Sequence, residues 1–135
     1  MRDSAGLDVL EQAECLQLLA RAPIGRVVFT DQALPAVQPV SFAVHDETIV
    51  FPTCGGRRIA EATDGAVVAF EVDEFDPGRR TGWSVTVVGR ARAVTDPDET
   101  AELARLPIDR WASEDAPVFV RIAIELVNGR RIRAS

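Results

Sequence analysis

The strongest constraint on the fold is a series of short runs in which apolar side chains recur at every second position. In residues 66–73, Val68, Phe70 and Val72 fall on one side and Glu71 and Asp73 on the other. That is the period of a half-buried strand. Further β-rich runs cover residues 27–30, 35–44, 48–53, 83–94 and 117–127, the last with Val118, Val120, Ile122 and Ile124 alternating. Asp31-Gln32-Ala33-Leu34, His45-Asp46-Glu47, Asp76-Pro77-Gly78 and Asn128-Gly129 read as turns around them. Six strands at hairpin-like spacing predict a mainly β fold, an antiparallel barrel that is closed or nearly closed. Pro39 lies inside the second run and has no N–H to donate, so its place is an edge or a bulge. Gly89 marks a bulge or bend in the long fifth run.

Three short helices are predicted at the periphery. Asp8-Val9-Leu10-Glu11 reads as a capping box opening a helix over about residues 8–21. Leu16, Leu19 and Ala20 share a face of it, with Leu18 beside them, and Pro23 and Gly25 end it. A second helix is expected over residues 57–63, stopped by Gly65. The third starts at Asp96-Pro97-Asp98-Glu99, a cap, a proline and acid in the first turn, and ends before Pro107.

Composition narrows the class. A chain of 135 residues predicts one domain over residues 1–135. The net charge of −6 argues against nucleic acid or an anionic membrane as the main partner. Cys15 and Cys54 are too few for a disulfide framework or a metal centre, and free thiols in a reducing compartment are expected. The first dozen residues lack an apolar core of signal-peptide length. No stretch approaches the roughly 18 apolar residues of a membrane span. The expected location is cytoplasmic.

The chemistry concentrates in residues 51–62, FPTCGGRRIAEA. A strand end, a Gly55-Gly56 turn and a helix start carrying Arg57 and Arg58 offer backbone N–H groups and two guanidiniums, a site suited to a phosphate. The plainer reading is a glycine turn with a solvated arginine pair. Pro39-Val40-Ser41-Phe42 is a second candidate, with a free edge, a hydroxyl and a flat ring, or an ordinary edge strand. Trp83 and Trp111 suit stacking on an aromatic ligand, a subunit interface or core packing. His45, the only histidine, reads as a surface turn residue. Cys54 is either a thiol activated by the anion site or a small packed residue. No acid, base or nucleophile stands out, so any catalysis would rest on a cofactor.

The order of the pieces is more telling than any one of them. A helix, then GRVVF, PVSFAV, IVFPTCGGRRIAEA, VAFEVDEFD, TGWSVTVVGRARAVTD and NGRRI closely resembles the pyridoxamine 5′-phosphate oxidase-like family. The resemblance runs from about Leu7 to Ile132, and EVDEFDP followed by TGWSVTVVGRA resembles a small-protein branch often found in actinobacteria. It implies a six-stranded FMN-binding split barrel with peripheral helices, and a homodimer holding FMN between its subunits. Val40, Ser41 and Phe42 would line the isoalloxazine ring. Thr53 and Arg58 would hold the ribityl phosphate with help from Arg57. Pro39 and Ile59 belong to the same cofactor-binding set. Trp83 and Ser84 would lie near the dimer cleft, and Arg130 would reach the cofactor from the other subunit. The sequence departs from the family pattern at Pro52, where many relatives carry a basic residue, and at Arg58, which replaces the usual lysine. The implied activity is that of an FMN-dependent oxidoreductase acting on a small molecule. The alternatives are a deazaflavin cofactor on the same fold and a non-catalytic flavin or phosphate binder. Haem is a weaker one, with His45 its only histidine ligand. Pyridoxamine phosphate is not a favoured substrate, because no second basic cluster is available for its phosphate.

Overall fold

The computed structural model describes residues 1–53, 58–109 and 117–134. These form nine strands and three helices: β1 (Asp8–Val9), α1 (Gln12–Arg21), β2 (Ile24–Asp31), β3 (Leu34–Ser41), β4 (Ala43–His45), β5 (Thr48–Thr53), α2 (Arg58–Thr63), β6 (Val67–Asp76), β7 (Thr81–Ala93), α3 (Pro97–Leu103), β8 (Val118–Ala123) and β9 (Leu126–Ile132). The strands make one antiparallel sheet in the order β3-β2-β6-β7-β8-β5-β4, with β9 on β7 and β1 on β9. The fold is mixed α/β around a large sheet.

The sheet is not closed into a barrel, which corrects the expectation of a six-stranded split barrel. The reason lies at Phe42. The single strand expected over residues 35–44 is two strands, β3 on β2 and β4 on β5, at opposite ends of the path. A continuous strand would have joined those ends. Instead the chain breaks at Phe42, whose ring turns into the core and packs edge-on against Phe70, with centroids 4.8 Å apart at 68°. The last expected strand is also two, β8 and β9, because the chain leaves one partner for another at residues 124–125.

Strand β7 is the spine. It pairs with β6 from Thr81 to Arg90, with β9 up to Val88 and with β8 from Ala91. Gly89 sits at that change of partner. A Cβ there would overlap the Ala123 carbonyl, so only glycine lets β7 and the end of β8 come this close. Asn128-Gly129, expected as a turn, lies inside β9, with Asn128 opposite Thr86 and Gly129 opposite Val85. The glycine is needed for another reason: a Cβ would press on Cys15 Sγ at 2.6 Å and on Leu10 Cδ1 at 3.1 Å. Gly129 is therefore the seat on which the start of α1 packs.

The main core lies between the sheet and α1. Val68, Phe70 and Val72 of β6, Val85 and Val87 of β7, and Phe51, Val120 and Ile122 are all buried there. Burying one such side chain is worth about 1.5–3 kcal/mol. Val50 and Phe119 point the other way, into a second cluster with Val94 and Leu103 under α3. Both faces of β5 and β8 are thus covered, which is why their sequences read as continuous apolar runs.

Helix α1 starts four residues later than the capping-box reading. Asp8 and Val9 pair with Arg131 and Arg130 of β9, so they are strand residues. Glu11 is the N-cap and makes no side-chain capping bond. The buried face is Cys15, Leu18 and Leu19, while Leu16 and Ala20 are exposed. The other two helices follow the sequence closely. Asp96 accepts the Glu99 N–H at 2.9 Å ahead of Pro97, and Gly65 ends α2 at φ +79°.

Candidate functional site

A cleft of about 350 Å³ opens where the β2–β3 hairpin runs past the core. Its walls are Phe29 and Asp31 of β2, residues 36–41 of β3, Pro52 and Thr53 at the end of β5, Arg58 and Ile59 of α2, and Asp109. Chain segments distant in sequence therefore meet here because β5 runs out beside the hairpin and hands the chain to α2.

The hairpin itself is tight. Gln32 and Ala33 sit at φ 51° and 66°, the left-handed pair that a two-residue turn requires. Two non-glycine residues there carry some strain. The turn sets Asp31 opposite Leu34 and aims its carboxylate at α2. Asp31 Oδ2 accepts from Arg58 Nε at 2.9 Å and lies 2.8 Å from Arg58 Nη2. The guanidinium is largely exposed, whereas Asp31 is more sheltered.

Strand β3 is an edge, as Pro39 predicted, and it carries two prolines. Pro35 and Pro39 are in register with Thr30 and Arg26 of β2. A proline in a ladder must turn its ring nitrogen away from the partner strand. The free edge of β3 is therefore stripped of two N–H donors, which guards it against pairing with other strands. Ser41 is buried, and its hydroxyl has no hydrogen-bond partner among the described residues. Thr53 is buried too, but its hydroxyl donates to the Val118 carbonyl at 2.9 Å. It has lone pairs to offer a ligand and no free proton.

Six of the residues read from the sequence as cofactor-binding line this one cleft: Pro39, Val40, Ser41, Thr53, Arg58 and Ile59. Phe42 does not; it belongs to the core. Trp83, Ser84 and Arg130 do not line it either. They lie together elsewhere, with Ser84 opposite Arg130 and Trp83 opposite Arg131 across β7 and β9. Arg130 Nε donates to Asp3 Oδ2 at 2.7 Å. Arg57, Cys54, the Gly55-Gly56 turn and Trp111 fall outside the described residues. Sequence reading missed Asp31, Gln38 and Asp109. Asp31 carried a turn signal and no hint of its partner, since nothing local reveals a contact 27 residues away.

Two other groups of candidate chemistry lie outside this cleft. His45 Nε2 lies 3.3 Å from both an Asp46 and a Glu102 carboxylate oxygen, a partly exposed polar group at the expected hairpin turn. Cys15 is fully buried, and burial pushes its thiol up, away from the reactive thiolate. Among the described residues, no helix is long and apolar enough to cross a membrane.

Among the described residues, the fold defines an antiparallel-sheet protein with a cleft that combines apolar wall and a single arginine. The chain belongs to the pyridoxamine 5′-phosphate oxidase family, whose sequence profile matches residues 11–131. It is 42% identical over 130 residues to the uncharacterized protein Rv0080 of Mycobacterium tuberculosis, covering 93% of this chain and 85% of that one. Two solved structures share its architecture. An FAD binding protein of Mycobacterium smegmatis superposes with a TM-score of 0.76 at 32% identity, over 93% of this chain and 98% of its own. An FAD-binding protein of Mesorhizobium loti does so with a TM-score of 0.75 at 28% identity, over 96% and 99%.

Proposed function

We propose that this chain is a flavoprotein that binds FMN in the β2–β3 cleft and serves as an oxidoreductase for a small molecule. The observation that carries the reading is the convergence of Pro39, Val40, Ser41, Thr53, Arg58 and Ile59, from three separate elements, on one cleft. Its volume falls in the range of small-ligand sites. The donor set suits a flavin phosphate. Phe29, Val40 and Ile59 give apolar wall for a ring, Ser41 has a free hydroxyl for a ring heteroatom, and Arg58 supplies the cation. Thr53 serves better as an acceptor for a ribityl hydroxyl than as a phosphate donor, because its proton is engaged with Val118. When bound, the flavin supplies the hydride- or electron-accepting ring. The chain's own contribution is to position that ring, anchor its tail and exclude water.

FAD is the second reading, favoured by the two FAD-binding relatives. The test is a visible spectrum of the purified protein, followed by titration with FMN, FAD and a deazaflavin. A flavin spectrum, or saturable uptake with FMN tightest, supports the reading. Preference for FAD or the deazaflavin reassigns the cofactor, and a colourless protein indifferent to all three refutes flavin binding. Reduction by NADH or NADPH with turnover of an added acceptor separates an enzyme from a non-catalytic binder.

The same reading places the cofactor between two copies. Trp83, Ser84 and Arg130 lie away from their own chain's cleft, so they would serve the cleft of a second copy. An outward row, Val37, Val28, Ala69, Val88 and Leu126, runs in register across β3, β2, β6, β7 and β9 and offers apolar surface for such pairing. Val37 and Leu126 are 60% and 66% exposed. Sedimentation equilibrium of the flavin-loaded protein should give a dimer mass, and a flavin-loaded monomer would refute this part.

A further inference from the structure

We propose that Asp31 limits and selects what the cleft binds, by occupying the Nε–Nη2 edge of the Arg58 guanidinium on which a ligand's phosphate would sit. This rests on the flavin reading above and deepens it. The argument starts from valence. Arg58 presents its Nε and Nη2 edge to Asp31, with both nitrogens within 2.9 Å of one carboxylate oxygen. That edge is one of the two a guanidinium can offer to an oxyanion in paired fashion. Asp109 also lines the cleft, so the described charges there are two carboxylates and one guanidinium. The described charges of the cleft therefore leave an excess of one negative charge, and a ligand phosphate that takes the Nε–Nη2 edge binds by displacing Asp31 from Arg58.

The consequence is selectivity by charge. A neutral ligand that only lies against Phe29 and Val40 leaves the Asp31–Arg58 pair intact and feels little from it. A terminal phosphate, with about −1.5 to −2 charge and three acceptor oxygens near neutral pH, competes for the guanidinium. Asp31 taxes a ligand whose phosphate or other anionic group competes for Arg58, and leaves a neutral ligand untaxed. The hairpin geometry supports a dedicated role. The left-handed turn at Gln32 and Ala33 fixes where the Asp31 carboxylate ends up, so the pair does not depend on a wandering loop.

The test uses full-length protein and two probes that differ only in the phosphate, FMN and riboflavin. Asp31→Asn keeps the shape and removes the charge. Exposed pairs of this kind are worth up to about 1 kcal/mol, so FMN should bind about two- to fivefold tighter to D31N. Riboflavin affinity should not change, and the FMN gain should shrink as salt is raised. Arg58→Ala serves as the reference, abolishing the difference between FMN and riboflavin. If D31N binds FMN no more tightly, or more weakly, Asp31 is a support for Arg58 and the proposal is overturned. An equal gain for riboflavin overturns it as well, since the effect would then not act through the phosphate. Failure of wild type and D31N to bind any flavin overturns the flavin reading and this inference with it. Flavin binding without a D31N gain overturns this inference alone.

Discussion

Removing the titratable group at Glu71 should flatten the pH dependence of stability between pH 5 and 7.5. Glu71 stands on the outer face of β6, opposite Arg26 of β2. One guanidinium nitrogen of Arg26 serves two carboxylates, Glu71 Oε1 at 2.9 Å and Asp73 Oδ2 at 3.0 Å. Desolvation on the sheet face and then the neighbouring Asp73 push the Glu71 carboxyl up to about 7, against the opposing pull of Arg26. The ordinary value is 4.5. Between those two values the folded chain keeps a proton that the unfolded chain has released. Stability therefore falls as pH rises through this window and levels off above it. The full shift corresponds to about 3 kcal/mol. Solvent reaches the face and screens the pair, so a loss of about 1–2 kcal/mol is the expected size. Glu71→Gln keeps a hydrogen-bonding partner for Arg26 and cannot ionise. Urea denaturation should be followed by tryptophan fluorescence at a series of pH values and one protein concentration, since any self-association adds to apparent stability. The difference between wild type and E71Q should shift against wild type from pH 5 to 7.5. A difference that stays constant, or moves in favour of wild type, would show that Glu71 is ionised throughout and that Arg26 outweighs burial.

Three further outcomes follow from single contacts. Gly89→Ala should destabilise the fold by about 3 kcal/mol or more, seen as a lowered Tm, because the new Cβ meets the Ala123 carbonyl at the branch of β7. Thr53→Val should cost about 0.5–1.5 kcal/mol in urea denaturation by removing the hydroxyl's hydrogen bond to the Val118 carbonyl. If it also weakens flavin binding, FMN and riboflavin should suffer equally, since both carry the ribityl chain. Glu99 is held below the usual carboxylate range first by its Arg92 hydrogen bonds and then by Arg121. Its stabilising contribution is complete above about pH 4.5 and is lost as pH falls, so Glu99→Gln should blunt acid denaturation measured by circular dichroism.

Much of the fold could be read from the sequence because its signals are local. The alternation of Val68, Phe70 and Val72 identifies both a strand and its buried face. Asp96-Pro97 marks a helix start by stereochemistry alone, and Pro39 marks an edge by its missing N–H. What failed were statements about partners. Asp8 followed by Glu11 satisfies a capping-box pattern, yet the backbone of Asp8 is claimed by β9. Asn128-Gly129 is a sound turn signal, overridden because Gly129 is required under Cys15 and Leu10. The closed barrel failed for the same reason: residues 35–44 have strand propensity throughout, and only the packing of Phe42 on Phe70 cuts them in two.

The site divides along the same line. The residue types that suit a flavin phosphate were visible as short motifs, and the fold gathers six of them. Their electrostatic state was not visible. Arg58 read alone is a free cation, but with Asp31 it is half of a neutral pair. That difference decides how the cleft should work. A free arginine would draw any anion into the cleft, whereas a paired one admits only a ligand able to compete with a carboxylate fixed by a strained turn. Pro52 lines the same cleft and brings no charge of its own. Among the described residues of the cleft, the proposed phosphate contact therefore rests on one guanidinium, paired with an acidic residue at the tip of a neighbouring hairpin. On the proposed reading, substitution at that tip, more than at the arginine itself, should tune affinity for a phosphorylated cofactor without losing the site.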